Sequence, residues 1–415
     1  MLDRLPPEDG CGPLLAGHAD APRSHRHQVF DCVRAAGRIS RTDVAKTLDV
    51  SPGSVTVAIS DLMAAGLVQE APMTNHSTTR GRPPVALSVV PDARFVVGIK
   101  LSDVTHTAVL TDFAGTVLAD ATHDTPARVR LADTAIDEIQ VLVQKLLTKA
   151  GMSSSDIAAL AVGMPGIVDH DAGQVRWSPL LTETEVNLAA ALTDRLGCDV
   201  FIDNDVNLLT LAELWFGAGR ARRDFAVVTI EHGVGMGLVL NNEVFRGATG
   251  QGLELGHTKV QLDGALCRCG RRGCLEAYVA DYALVREAPL ALGEATPNAS
   301  DAELMDALYR AAKGGNQAAQ LIFKRAGQVL SVGLANLIQL FDPKLIILSG
   351  ARMRYDYLYA EEVLAETRRM TSQTNRTPTE VQIHTWGDLI WARGAAALAL
   401  ASATQTLLNN LGQSA

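Results

Sequence analysis

FVVGIKLSDVTHTAVLTDFAGTVLAD, residues 95–120, and FAVVTIEHGVGMGLVLNNEVFRG, residues 225–247, decide the fold. Each opens on a run rich in β-branched residues, crosses a polar or glycine loop into a second apolar run, and turns tightly into a third. The chain therefore repeats a strand–loop–strand–turn–strand unit once. Each copy is followed by alternating helix-length and strand-length apolar segments, which predicts two α/β halves facing a cleft in which a ligand binds. Later segments fit the second half: 318–339 reads as a long amphipathic helix, LIILSG at 345–350 as a buried strand closing on glycine, and 389–411 as an Ala/Leu-rich helix.

Composition sets the frame around these repeats. A chain of 415 residues with 47% hydrophobic and 20% charged residues can fill two or three cores. No stretch approaches the roughly 20 apolar residues needed to span a bilayer, and the start, MLDRLPPEDGCGPLLAGHAD, is acidic and Gly/Pro-rich rather than leader-like. The expectation is a soluble, cytoplasmic protein with no membrane partner and a disordered segment over 1–20. Six cysteines divide into scattered Cys11, Cys32 and Cys198 and a cluster of Cys267, Cys269 and Cys274, which in an unsecreted chain points to metal before disulfides.

The net charge of −9 hides an asymmetry: residues 21–90 carry eight basic against five acidic side chains. Within this segment HRHQVFDCVRAAG reads as a helix burying Val29, Val33 and Ala36 and ending at Gly37. A second helix is capped by Ser40 with Asp43 in its first turn, and a third by Ser51 with Pro52 at its first position. The third helix turns Val55, Ile59 and Leu62 inward and leaves Gly53, Ser54, Thr56, Val57 and Ser60 outside. A face of small and hydroxyl side chains fits a DNA major groove, where it can touch base edges and thymine methyls. Next, Pro84–Val89 completes a strand–loop–strand wing tipped by Thr79-Arg80-Gly81-Arg82-Pro83, thin and doubly charged as a narrow A·T-rich minor groove requires. A small helical bundle with no DNA role shares the helical spacing; the adjacent Arg-Gly-Arg-Pro run separates the two. The expectation is a winged helix-turn-helix domain over 21–90 that binds double-stranded DNA through Ser51, Ser54, Thr56, Val57, Arg80 and Arg82.

In the second half, His257, Cys267, Cys269 and Cys274 form H-x9-C-x-C-x4-C, a ligand set that closes a tetrahedral structural zinc site, Zn2+, with Gly270 and Gly273 allowing tight turns. Four protein ligands leave no position for a reactive water, so the ion is expected to hold the segment presenting Glu254, His257 and Glu276.

Four stretches carry a closer likeness: VGMPGIVD at 162–169, FIDNDVN at 201–207 followed by AELWFG at 212–217, the glycines Gly233, Gly235 and Gly237, and GLELGHTKVQLDGALCRCGRRGCLEAY at 252–278. With the helix-turn-helix, the chain resembles the ROK family of repressors and sugar kinases over about residues 24–400. The resemblance implies an actin-like, sugar-kinase-like (ribonuclease H-like) two-lobe sensing domain over 91–415, carrying the zinc motif at 257–274. It implies that Asn204, Asp205, Glu254, His257 and Glu276 pair with sugar hydroxyls, and that Asp205 matches the general base of the family's kinases.

One departure argues against catalysis. The family's kinases carry Asp-x-Gly-x-Thr after the first strand, to serve Mg-ATP, whereas this chain has Lys100-Leu101-Ser102-Asp103-Val104, which reverses the charge and removes the glycine. Leu253 stands where the family's motif has glycine before the glutamate. The resulting expectation is a homodimeric or dimer-of-dimers regulator and not an enzyme, a repressor of sugar uptake or catabolism genes released from its operator by sugar. An ATP-dependent sugar kinase with an N-terminal appendage is the alternative, and a scaffold recognising a transporter domain is a third reading.

Overall fold

In the computed structural model, residues 10–15, 24–72, 85–293, 299–350, 353, 355–356, 361–371 and 377–413 are described. They form two compact units: 1–223 with 239–251 and 388–415, and 224–238 with 252–387.

The chain begins with helix α1 (His25–Ala36), strand β1 (Ile39–Ser40), helices α2 (Arg41–Leu48) and α3 (Pro52–Ala64), and strands β2 (Val68–Pro72) and β3 (Val85–Val89). The three strands form a small sheet in the order β1-β3-β2. Capping follows the sequence: the Ser40 hydroxyl accepts from Asp43 N at 3.1 Å and Ser51 from Ser54 N at 3.1 Å. Val55, Ile59 and Leu62 are buried, as expected, and Ala58 joins them. On α1, however, Phe30 and Arg34 are buried beside Val29 and Val33, while Ala36 is only half-buried.

The first unit continues with β4 (Phe95–Lys100), β5 (Thr105–Asp112), β6 (Val117–Asp124), α4 (Ala132–Ala150), β7 (Ile157–Met164), the hairpin β8 (Ile167–Asp169) and β9 (Gln174–Trp177), α5 (Leu188–Leu196), β10 (Asp199–Asn204) and α6 (Asp205–Phe216). Then come β11 (Phe225–Ile230), β12 (Val234–Leu240), β13 (Glu243–Val244), α7 (Glu276–Val279), α8 (Asp281–Leu292), α9 (Asp301–Lys313), α10 (Gln317–Phe341), β14 (Leu345–Ser349), α11 (Glu361–Thr371), β15 (Glu380–His384) and α12 (Ile390–Gln413). The first large sheet runs β6-β5-β4-β7-β10 and the second β13-β12-β11-β14-β15. Both place the third strand of the half at one edge, then the second, first, fourth and fifth. The duplication read from the two meanders is thus a repeat of topology.

One face of the first sheet packs its Val97, Ile99, Leu160, Val162 and Ile202 with Ile139 and Leu146 of α4 and Leu192 of α5. The opposite face is covered by α12 at backbone distance. A Cβ on Gly98 of β4 would stand 2.1 Å from Ala392 O, and one on Gly394 of α12 would stand 1.8 Å from Leu208 O of α6. Glycine in mid-strand is unfavourable by itself and is placed here by the close approach of another backbone. In the second unit, β11 and β14 pack on Leu330, Leu334 and Leu337 of α10. Helix α10 is long and apolar enough by composition to cross a membrane, contrary to the reading that no stretch approaches a span. The greater part of its apolar window is buried in this core, which accounts for the composition.

The N-terminal segment also differs from expectation. Residues 10–15 are not a free tail: Cys11 N donates to Arg34 O at 3.0 Å, Gly12 N to Trp215 O at 2.9 Å and Leu14 N to Arg220 O at 2.8 Å. Cys11 is buried, with Sγ 3.2 Å from Ala114 O. Glycine here serves a close approach, since a Cβ on Gly10 would meet Arg34 O at 2.2 Å, and a Gly/Pro-rich composition read as disorder is instead a backbone-bonded strap.

Candidate functional site

Strand β10 ends by delivering FIDND to the mouth of α6. Asn204 caps the helix, its Oδ1 accepting from Val206 N at 2.8 Å while Nδ2 donates to Gly166 O at 2.8 Å. That second bond ties the helix to the Gly163–Gly166 turn, where Gly166 has φ +125 and a Cβ would stand 2.2 Å from Trp177 O. Asp205 follows as the first residue of α6, half-buried, at the positive end of the helix dipole. The structure buries Asp203 more deeply, leaving it 1% exposed, with Arg246 Nε and Nη2 each 2.7 Å from Oδ2 and with Asn204 N and Asn207 Nδ2 each donating to Oδ1 at 2.8 Å. His170 Nδ1 lies 3.9 Å from the same carboxylate. Sequence reasoning missed this pair: its partners are 43 residues apart, and the sole clue was the arginine in the EVFRG turn.

The other expected ligand residues gather in the second unit. Glu276 opens α7 and is buried, Oε2 accepting from Val234 N at 3.2 Å in the glycine turn between β11 and β12. A Cβ on Gly233 would come 2.9 Å from Glu276 Oε2, so a side chain there would push on that carboxylate. The Gly233–Gly237 stretch is thus bonded at its start to an acidic side chain. Glu254 is open to solvent, with Oε2 3.9 Å from His257 Nε2. Nearby protein atoms still desolvate its carboxyl and raise it above the ordinary range; His257 opposes that shift and Glu276 adds to it. Leu253, in place of the family's glycine, has φ +62, a left-handed conformation that costs a branched residue about 1–2 kcal/mol.

His257, Cys267, Cys269 and Cys274 converge, with their ligand atoms all within 4.8 Å of one another. Cys269 Sγ and Cys274 Sγ are 3.7 Å apart, and Cys267 Sγ is 3.7 Å from His257 Nδ1. Zinc–sulfur bonds of about 2.3 Å in a tetrahedron give sulfur–sulfur edges of about 3.8 Å, so the donor set fits the ion. Gly270 and Gly273 both adopt the left-handed φ the tight loop needs, and a Cβ on Gly273 would stand 1.6 Å from Gln261 O. Lys259 Nζ lies 2.9 Å from Cys274 Sγ, where it would offset the surplus charge of three thiolates around a divalent cation. His257 Nδ1 faces the Cys267 sulfur and Nε2 faces Glu254, so a metal held at Nδ1 would leave the ring proton on Nε2.

On the small domain, Thr56 and Val57 of α3 are exposed, Val57 to 64%. The Ser51 and Ser54 hydroxyls meet at 2.9 Å within the helix cap. Thr56 Oγ1 turns back to Pro52 O at 2.8 Å and Ser60 Oγ to Thr56 O at 2.9 Å, leaving small surfaces around Val57. Arg80 and Arg82 lie outside the described residues.

Residues 96–402 match the profile of the ROK family. The chain belongs to the ROK family. Residues 24–69 match a winged helix-turn-helix DNA-binding profile. The chain is similar to the xylose repressor of Caldicellulosiruptor bescii, 27% identical over 335 residues, 78% of this chain and 82% of that protein. It is 29% identical over 328 residues to the DNA-binding transcriptional dual regulator NagC of Escherichia coli, covering 78% of this chain and 79% of that one. Among solved structures, a ROK family transcriptional regulator homologous to E. coli Mlc superposes with a TM-score of 0.77 at 24% identity, over 94% of this chain and 98% of that one. A ROK family glucokinase from Streptomyces griseus, solved with glucose and AMPPNP, gives a TM-score of 0.62 at 27% identity over 74% of this chain and 99% of that one.

The loop after β4 in this ROK protein is held by groups the sequence did not single out. Ser102 N donates to His106 Nδ1 at 3.0 Å, and Arg130 Nη2 donates to Ser102 O at 3.0 Å. On its other side His106 Nε2 lies 2.9 Å from Glu138 Oε2 and 2.6 Å from Arg130 Nη1, which donates to Glu138 Oε2 at 2.8 Å. All three side chains are buried, and burial holds the His106 imidazole below its ordinary range despite Glu138. Lys100 lays its ammonium 3.6 Å from the centre of the Trp391 ring.

Proposed function

We propose that this chain is a cytoplasmic, sugar-responsive transcription regulator, a repressor of sugar uptake or catabolism genes. Thr56 and Val57 of α3, with Ser51 and Ser54 at its start, meet the major groove of an operator, and Arg80 and Arg82 follow an adjacent minor groove. The hydroxyls of the sugar pair with Asn204, Asp205, Glu254, His257 and Glu276, an arrangement that rejects analogues lacking a hydroxyl because it would strand buried polar groups. Zinc held by His257, Cys267, Cys269 and Cys274 supplies rigidity to the Glu254–Glu276 segment. The working species is a homodimer or dimer of dimers, so that two heads read half-sites spaced by whole helical turns.

The observation that carries this reading is a DNA-binding profile joined to a ROK body whose loop after β4 has Lys100 in place of a metal-binding aspartate and is tied down by His106 and Arg130. A loop whose Ser102 N–H is already given to His106 offers one donor fewer to a nucleotide phosphate, and with Lys100 in place of the aspartate we infer that this chain does not transfer phosphoryl groups. Binding of sugar and operator are linked, each weakening the other by one factor.

The test is fluorescence anisotropy of the full-length protein on DNA upstream of its own gene, at fixed salt, titrated with D-xylose, D-glucose and N-acetyl-D-glucosamine, alongside a coupled ATP-turnover assay. Specific binding released by one sugar, without turnover, is the expected result. Sugar-dependent ATP consumption with no specific DNA binding establishes the kinase instead.

A further inference from the structure

The two ends of α6 face two different tasks. Its first turn carries Asn204 and Asp205; its last turn carries Trp215 and Phe216, about 15 Å away at 1.5 Å per residue. Every residue from Leu208 to Phe216 is buried, and α12 lies against the helix at backbone contact through Gly394 and Leu208. A helix so enclosed has no room to bend and moves as a unit along its neighbour.

At its far end α6 meets the DNA-binding head. Arg34 of α1, 4% exposed, holds its guanidinium over two rings, 5.1 Å from the Phe30 centroid and 4.6 Å from the Trp215 centroid. Its Nη1 reaches Thr404 of α12 at 2.8 Å and its Nη2 reaches Asp31 at 2.9 Å. Phe30 also stacks on Phe113 of the body at 5.3 Å. Around this cage runs the strap: Trp215 O accepts from Gly12 N, while Arg220 just beyond α6 donates to Gly12 O at 3.0 Å and to Ala35 O at 2.5 Å. A second line leads to the recognition helix. Arg26 of α1 pairs with Asp61 of α3 at 2.7 Å and donates to Leu411 O of α12 at 3.1 Å.

We propose that the paired helices α6 and α12 carry the sugar signal to the DNA-binding head, with Arg34, caged by Phe30 and Trp215, as the coupling residue and Arg220 securing the strap beside it. The proposal rests on the regulator reading above and names its route. A ligand that draws Asn204 and Asp205 by a fraction of an ångström shifts Trp215 by the same amount. A guanidinium seated over two rings at these distances cannot keep both contacts when one of them moves, so α1 follows, and α3 with it. Arg34 touches neither sugar nor DNA; its role is positional.

The test uses the full-length protein as wild type, Arg34→Met and Arg220→Met, the latter removing bonds from a half-exposed side chain if the buried substitution does not fold. Three quantities are read: operator Kd without sugar, operator Kd at saturation with whichever of D-xylose, D-glucose or N-acetyl-D-glucosamine releases the wild type, and that sugar's Kd without DNA. Allosteric coupling of this kind spans about 5- to 150-fold in the wild type. Either variant is expected to bring the ratio of the two operator constants below about 3-fold while leaving the sugar Kd within about 3-fold of wild type, a split that loss of folding does not produce. Retention of the full wild-type ratio by folded Arg34→Met and Arg220→Met overturns the route while the regulator reading stands. A wild type that binds operator indifferently to every sugar overturns the regulator reading itself, and the route with it.

Discussion

Replacing Arg130 by Met tests the network that holds the loop after β4. Arg130 is 5% exposed and Glu138 7%, so the substitution strands a buried carboxylate and deprives Ser102 O of its donor. Breaking one side of a buried pair costs about 3–5 kcal/mol. Glu138 keeps two partners, Thr125 Oγ1 at 2.8 Å and His106 Nε2 at 2.9 Å, which places the expected loss near the lower end, about 3 kcal/mol. The double variant Arg130→Met with Glu138→Leu strands neither charge, so its cost should fall short of the sum of the singles by at least about 1 kcal/mol. Urea unfolding followed by circular dichroism at neutral pH gives the energies, and hydrogen exchange over residues 101–107 locates them, since Ser102 N–H should lose protection in the single variant. A single substitution costing under about 1 kcal/mol, or a double variant whose cost is additive, refutes the reasoning.

Further outcomes follow from the same geometry. His106 is held below its ordinary 6.5 and Glu138 below its ordinary 4.5, the latter by His106, Arg130 and Thr125 against its own burial. Both shifts make the unfolded chain bind protons first, so the stability these two groups contribute is complete above pH 6.5, His106's share is lost below that value and Glu138's below 4.5. A pH series of urea midpoints should show the first stage vanish in His106→Gln. Elemental analysis should find one zinc per chain, lost in Cys274→Ser and retained in Cys198→Ser, whose thiol lies apart from the cluster. Val57→Glu should leave stability within about 0.5 kcal/mol, because the side chain is 64% exposed, while weakening operator binding at least about 10-fold in anisotropy titrations.

Much of this was legible in the chain because the signals are local. The two meanders announce the duplicated sheets, Ser40 and Ser51 announce their helices, and three cysteines and a histidine within eighteen residues announce a cluster that could hold a metal. The rest depends on contacts between distant segments. Nothing in FIDND distinguishes Asp203 from Asp205 until Arg246 is seen beside the former. Helix α1 has one apolar stripe by periodicity, and the second buried face, Phe30 with Arg34, becomes visible only with Trp215 and Phe113 against it. The strap at 10–15 is held through main-chain groups, which every sequence possesses, so composition alone reads it as loose. The His106–Arg130–Glu138 network joins three unremarkable polar residues across 32 positions.

The attachment of the small domain bears on how such regulators can be recombined. A cut at the linker near Pro91 looks from the sequence like a clean boundary between a head and a body, inviting the exchange of heads as cassettes. Yet the head is also fastened by the strap ahead of α1, by Thr404 and Leu411 near the far end of the chain, and by the rings of Phe113 and Trp215. A chimera joined only at that linker would import a foreign α1 lacking Arg26, Phe30 and Arg34, and would tether a reader to a sensor it could no longer hear. Transplanting specificity within this scaffold therefore means rewriting the exposed face of α3 and leaving α1 as it is.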